Sequence, residues 1–173
     1  MTKPIVNIAE IELHPLPAVF AATAGAAPDG YDAKVGRIGP SIGAQQLGYN
    51  VTAVPPGKRA FPVHSHRVNE EMFFVLHGTG VVHIGNDTYP LQPGDIIACP
   101  AGGVETAHQI INTGTEELRF LAVSTMRSPE LCEYPDSGKF GVYAVFPGPA
   151  GSQAQRFRYL GREAQSIDYW DGE

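Results

Sequence analysis

Two histidines one residue apart, His64 and His66, are followed by a carboxylate at Glu71, and a third imidazole comes downstream at His108. On an extended strand, side chains one residue apart point to the same face, so His64 and His66 form a two-ligand platform. Glu71 opens a strand-like run to Leu76, in which Glu71, Phe73 and Val75 share one face. His108 shares a face with Ile110 and Asn112 in a run from Thr106 to Asn112. If these runs are adjacent or opposed in one small barrel, three imidazoles and one carboxylate meet in its interior. Burying such a cluster is costly unless it is paired or coordinated. Neutral imidazoles with a carboxylate suit borderline divalent ions. The expectation is one divalent transition metal per chain (Fe, Mn, Ni or Zn), held by His64, His66, Glu71 and His108. Four ligands leave two positions of an octahedron for water, a substrate oxygen or dioxygen. Phe73, Val75 and Ile110 then face the metal as the wall of a partly apolar substrate pocket.

The elements that must position these groups read as strands. From Gln45 onward, short apolar runs alternate with turn residues. Leu47 to Val54 stops at Pro55-Pro56-Gly57, and Ala60 to His66 carries the histidine pair. Glu71 to Leu76 precedes the turn His77-Gly78-Thr79-Gly80. Val81 to Ile84 runs into Gly85-Asn86-Asp87, a hairpin signal. Thr88 to Leu91, Asp95 to Cys99, Thr106 to Asn112 and Leu118 to Thr125 complete the series. With no helical periodicity between them, the pattern predicts an all-β sandwich or barrel. Met72, Phe74 and Leu76 make the Glu71 strand apolar on both faces, so both must be covered.

The flanks are less regular. Residues 1–44 form an N-terminal arm, with an edge strand expected at Ile5-Val6 and Ile8 and an extended stretch at His14-Pro15-Leu16-Pro17. The apolar run Ala18 to Ala27 follows Glu10 and Glu12, lacks a basic leader and is too short to span a bilayer. It reads as a loop or short helix. Residues 126–173 form a C-terminal extension with one further strand at Phe140 to Phe146, a short helix within Gln153 to Gln165 and a tail pinned by Tyr169 and Trp170.

Composition bounds the function. The 173 residues suit one domain, and a net charge of -6 argues against a general nucleic-acid or anionic-membrane binder while allowing a local basic pocket. The two cysteines, Cys99 and Cys132, imply no disulfide framework, and both read as small apolar residues of a protein in a reducing, cytoplasmic setting. His77 and His83 read as surface residues. Lys58, Arg59 and Arg67 read as a solvated rim.

Two motifs resemble those of the cupin superfamily, written G-x5-H-x-H-x3,4-E-x6-G and G-x5-P-x-G-x2-H-x3-N. The first reads here as Gly57, six residues, His64, Ser65, His66, four residues, Glu71, six residues, Gly78. The second reads as Gly94, five residues, Pro100, Ala101, Gly102, five residues, His108, three residues, Asn112. One residue is added before His64 and three between Gly102 and His108, both in loops. Glu70 competes with Glu71 as the carboxylate, and the six-residue gap to Gly78 favours Glu71. The resemblance implies a single double-stranded β-helix (jelly-roll) barrel over about residues 45–125, homodimeric, with a small-molecule ligand. It implies no single reaction. An oxygenase-type metal enzyme is the first expectation. A sugar or sugar-phosphate isomerase or epimerase and a non-catalytic binding or sensing cupin are the alternatives.

Overall fold

The structure is a computed structural model that describes residues 3–16, 27–149 and 152–173. Its strands, in chain order, are β1 (His14–Pro15), β2 (Lys34–Arg37), β3 (Leu47–Val54), β4 (Ser65–His66), β5 (Glu71–His77), β6 (Gly80–Ile84), β7 (Asp87–Leu91), β8 (Ile96–Cys99), β9 (His108–Ile111), β10 (Leu118–Thr125), β11 (Glu130–Tyr134), β12 (Lys139–Phe146) and β13 (Gln155–Gly161). The chain is all-β, consistent with a jelly roll. No helix among the described residues is long and apolar enough to cross a membrane.

Six strands pair in the order β1-β2-β3-β10-β5-β8, four as β13-β12-β11-β4, and three as β7-β6-β9. An isolated antiparallel bridge, His64 to His108, joins the last two groups into one layer opposite the first. The core lies between the layers and is built by alternation. Leu118, Phe120 and Ala122 of β10 are buried, as are Phe73 and Val75 of β5, Val82, Ile97 and Ile110. Burying each of the larger side chains contributes roughly 1.5–3 kcal/mol. The other face of β5, with Met72, Phe74 and Leu76, is half-buried. The hairpin at Gly85-Asn86 closes the pair Ile84 to Asp87, with Gly85 at φ 56° and an atom of Glu105 so close that a side chain there would collide with it.

The flanks differ from the sequence expectation at several points. No strand forms at Ile5-Val6; a 3-10 turn at Ile8–Glu10, capped by Asn7, stands there instead. The arm joins the barrel through β1 and β2, which extend the six-stranded sheet beside β3. The apolar run Ala18 to Ala27 lies almost wholly outside the described residues. Of the expected strand Ala60 to His66, only Ser65–His66 pairs as a strand, because Phe61-Pro62 removes a backbone donor and breaks the ladder. The C-terminal extension holds three strands rather than one, and the expected helix within Gln153 to Gln165 is β13 followed by a 3-10 turn. The aromatic tail is not pinned to the chain's own body: Tyr169 and Trp170 are 85% and 72% exposed and pack edge-on against each other.

Candidate metal centre

The bridge between His64 and His108 sets the frame. Each backbone N–H donates to the other's carbonyl, at 3.2 Å from His64 and 2.8 Å from His108. His64 Nδ1 lies 2.8 Å from the Pro62 carbonyl and His108 Nδ1 lies 3.2 Å from the Thr106 carbonyl. A carbonyl accepts only, so Nδ1–H donates in both rings and Nε2 turns inward. His66 enters from β4 with Nε2 pointing to the same place.

The three Nε2 atoms surround one oxygen. Glu71 Oε2 lies 3.9 Å from His64, 3.3 Å from His66 and 3.2 Å from His108. The ligand atoms of His64, His66 and Glu71 are within 4.8 Å of one another. Glu70 is exposed, with its backbone N–H on Thr125 Oγ1, and takes no part. All four sequence-expected ligands therefore converge.

Electrostatics sharpen the site. Burial, with His108 beside it, pushes His64 down to about 4, so its imidazole is neutral at pH 7. Burial opposes the charge on Glu71, but the His108 hydrogen bond and the His66 imidazole beside it hold its carboxyl well below the usual carboxylate range. Burial also opposes a charge on His66, yet Cys132, Glu130 and Glu71 together push it up to about 12. The buried carboxylate thus holds a proton on the one imidazole that has an acidic partner on each side.

The donor set fits a divalent ion. His66 Nε2 is buried without a hydrogen-bond partner, since its approach to Glu71 lacks hydrogen-bond alignment. The inward Nε2 lone pair of neutral His64 repels Glu71 Oε2 unless a proton or cation lies between them. A dication would satisfy all four groups at once and release the His66 proton.

Around these ligands stands a group that sequence reasoning missed. In β11, Cys132 pairs with His66, and its Sγ lies 3.3 Å from His66 Nδ1. Glu130 Oε2 lies 3.7 Å from the same nitrogen. Glu130 is buried and accepts from the backbone N–H groups of Val68, Asn69 and Leu131 and from the Asn69 side chain. Asn69 is itself tied to Thr125 and Arg127. The reading of Cys132 as a small apolar residue holds for its burial and misses its contact. Tyr134, next on this face of β11, stacks on His64 at 6.2 Å between ring centroids, and its hydroxyl lies 3.3 Å from that of Tyr143. Burial, reinforced by Tyr143, pushes the Tyr134 phenol above its usual range, so it keeps its proton at neutral pH. The available signal was parity: Glu130, Cys132 and Tyr134 fall on one face of a five-residue strand that contains no β-branched residue.

The expected pocket wall divides. Phe73 packs 5.6 Å from the His108 ring, and both Phe73 and Ile110 line a small cavity with Phe61 and Phe120. Val75 is buried in the core and does not line it. The cavity is about 20 Å³, room for about one water molecule rather than an aromatic ring. His77 and His83 are on the surface, beside Glu116 and Thr88. Arg59 lies over the Tyr31 ring, and Arg67 pairs with Glu133 at the rim.

Comparison with known proteins points one way. The family model described as Cupin domain matches residues 50–124. A crystal structure from Silicibacter pomeroyi, described as a sugar phosphate isomerase from a cupin superfamily, superposes with a TM-score of 0.74 at 26% identity over 97% of this chain and 98% of that one. An oxalate-binding protein of Thermotoga maritima is 36% identical over 70 residues, 40% of this chain and 54% of that protein. The chain thus spans about half the length of the curated relatives it matches.

Proposed function

Since the chain belongs to the cupin superfamily, we propose that it is a metal-dependent enzyme acting on a small polar organic molecule. One observation carries this reading: three imidazole Nε2 atoms around a single Glu71 oxygen, with that of His66 buried and unpartnered. His64, His66, Glu71 and His108 would hold the metal. When bound, it supplies Lewis acidity toward a substrate carbonyl or hydroxyl oxygen.

The chain's own residues account for the rest. Glu130 and Cys132 hold the far side of His66, which orients the ring. Tyr134, kept protonated beside His64, donates a hydrogen bond to a substrate oxygen rather than removing a proton. Phe61, Phe73 and Phe120 exclude water from the floor.

One observation favours isomerase or epimerase chemistry over oxygenation of an aromatic substrate: the wall beside His64, formed by Tyr134 and Tyr143, is hydroxylic. The likeness to a structure described as a sugar phosphate isomerase agrees with this. The homodimer implied by the family resemblance could use an apolar surface among the described residues, the side of β12 and β13 that carries Phe146, Phe157 and Tyr159.

The test is metal analysis followed by turnover. Protein reconstituted with Fe, Mn, Ni or Zn is incubated in D₂O with aldoses, ketoses and their phosphates, while oxygen uptake is followed in parallel on phenols and diketones. Deuterium at the carbon beside the carbonyl supports the reading. Oxygen uptake without exchange replaces it with an oxygenase, and binding without turnover replaces it with a carrier or sensor.

A further inference from the structure

The two nitrogens of the His66 ring face different surroundings. Nε2 belongs to the candidate centre described above. Nδ1 turns the other way, toward β11, where Cys132 Sγ lies 3.3 Å and Glu130 Oε2 lies 3.7 Å from it. The register brings these groups together. Cys132 pairs with His66, and Glu130, two residues before Cys132, shares its face of β11. Both are buried, at 5% and 8% exposure. The sulfur, the oxygen and the nitrogen all lie within 4.8 Å of one another.

The other two imidazoles show how this one differs. His64 Nδ1 is 2.8 Å from the Pro62 carbonyl, and His108 Nδ1 is 3.2 Å from the Thr106 carbonyl. A hydrogen bond to oxygen is the ordinary way to orient a ligating ring. His66 Nδ1 has sulfur in that place, a weak acceptor, and its carboxylate stands back at 3.7 Å, beyond hydrogen-bond reach.

The same separations suit coordination. A tetrahedral ion about 2.3 Å from sulfur and about 2.0–2.2 Å from nitrogen and oxygen sets its ligand atoms about 3.3–3.7 Å apart. Both measured separations, 3.3 Å and 3.7 Å, are of this size. A thiolate and a carboxylate also bring two negative charges to meet a dication, and thiolate selects for soft or borderline ions. Glu130 Oε2 accepts from the backbone N–H and the side-chain amide of Asn69. An ion would take the place of that amide, which also donates to the Arg127 carbonyl.

We propose that the Nδ1 side of His66 is a second cation position, in which Cys132, Glu130 and His66 hold a thiophilic divalent ion of the zinc and cadmium class, additional to any ion on the Nε2 side. Binding is a substitution with no change of oxidation state. The S–H bond of Cys132 and the Nδ1–H bond of His66 break, bonds from Sγ and Nδ1 to the ion form, and both protons pass to solvent. Glu130 contributes an oxygen and no proton. The position goes beyond the metal-enzyme reading and does not need it to hold.

The test is a cadmium titration of the full chain, reduced and stripped with chelator, followed by the ultraviolet charge-transfer band of a cadmium–thiolate bond. Ions held by nitrogen and oxygen alone give no such band, so the readout is blind to the Nε2 centre. Wild type is compared with Cys132→Ser, Cys99→Ala, Glu130→Gln and Glu71→Gln, with circular dichroism recorded for each. Wild type should develop the band and saturate at one thiolate-bound cadmium per chain. Cys132→Ser should lose it, Glu130→Gln should weaken binding about tenfold or more, and Cys99→Ala and Glu71→Gln should keep it. No band in wild type, a band that survives Cys132→Ser, or a band that disappears with Cys99→Ala overturns the position. A band lost in folded Glu71→Gln gives the sulfur to the main centre and also overturns it. Cadmium uptake by wild type without the band leaves the Nε2 reading standing and sinks this one. The band with no further ion bound supports this position even where the Nε2 reading fails.

Discussion

His64 and His108 are tied to each other through the backbone, His64 N–H to His108 O at 3.2 Å and His108 N–H to His64 O at 2.8 Å. The reciprocal pair joins the four-stranded and three-stranded groups across the middle of the barrel. Two candidate ligands are thereby fixed relative to each other, which would lower the ordering entropy that metal binding must overcome.

Removing the ligands should remove the metal. His64→Ala combined with His66→Ala is expected to lower metal content from about one ion per chain to none after reconstitution, an expectation that follows from losing half of a four-ligand set. Atomic emission on desalted protein reads the content, and circular dichroism shows whether the strands persist.

Cys132 should matter to the metal without touching it. Cys132→Ala removes the sulfur 3.3 Å from His66 Nδ1 and frees the ring to turn. Metal affinity is expected to fall about 10–100-fold, the usual cost of losing an outer partner of a ligating imidazole. Cys132→Ser should recover part of the loss. The visible spectrum of the cobalt form should shift in Cys132→Ala, and an unchanged spectrum and affinity would remove the sulfur from this role.

Glu130 gives the metal-free protein an acid-sensitive contact. Burial opposes its charge, but His66 and Asn69 outweigh burial and hold its carboxyl below the usual carboxylate range. The folded state therefore binds the Glu130 proton less readily than the unfolded chain. Its contribution is complete above the unfolded carboxylate pKa and is lost as pH falls through the lower folded value. Glu130→Gln should cost about 1–3 kcal/mol at pH 7. Urea titrations should show the gap between the two proteins narrowing as pH is lowered below about 4.

Asn112 should act on stability alone. It is fully buried, and its side chain donates to the carbonyls of Val54 and Glu116 and accepts from the Gly114 N–H. Asn112→Ala leaves those groups unpaired and should cost about 2–4 kcal/mol in urea unfolding. Protein that remains folded should still load metal fully.

Gly78 should tolerate no side chain. Its φ is 77°, and a Cβ would come within 2.5 Å of the Glu117 carbonyl. Gly78→Ala should destabilise by about 2–3 kcal/mol, read from the urea midpoint at unchanged slope.

The convergence of His64, His66, Glu71 and His108 and the barrel strands were legible in the sequence because each rests on a local signal. His64 and His66 read out as a shared face even though only Ser65–His66 is a regular strand, since the His64 bridge keeps the alternation. Glu71 was separable from Glu70 because one residue of parity moves a side chain from the inside to the solvent. Val75 shows the limit of the same rule: parity gave its face correctly but not its depth along the barrel. The C-terminal sheet was obscured for a different reason. β11 has no β-branched residue, β13 is exposed along nearly its whole length, and neither strand announces itself until its partner is known.

Among the described residues β13 is paired on one side only, through seven residues to β12, and six of its seven residues are exposed. Such a strand is held by little beyond one ladder, so in the isolated chain its amides should exchange with solvent far sooner than those of β10, which is paired on both sides and has a buried apolar face. Arg156 and Arg158 ride on this strand. This edge is thus loosely moored, while Glu71 lies on β5, which is paired on both sides by β10 and β8. Anything that covers this edge would draw the last strand into the cooperative unit of the rest, and hydrogen exchange would record it as protection reaching from β11 to β13.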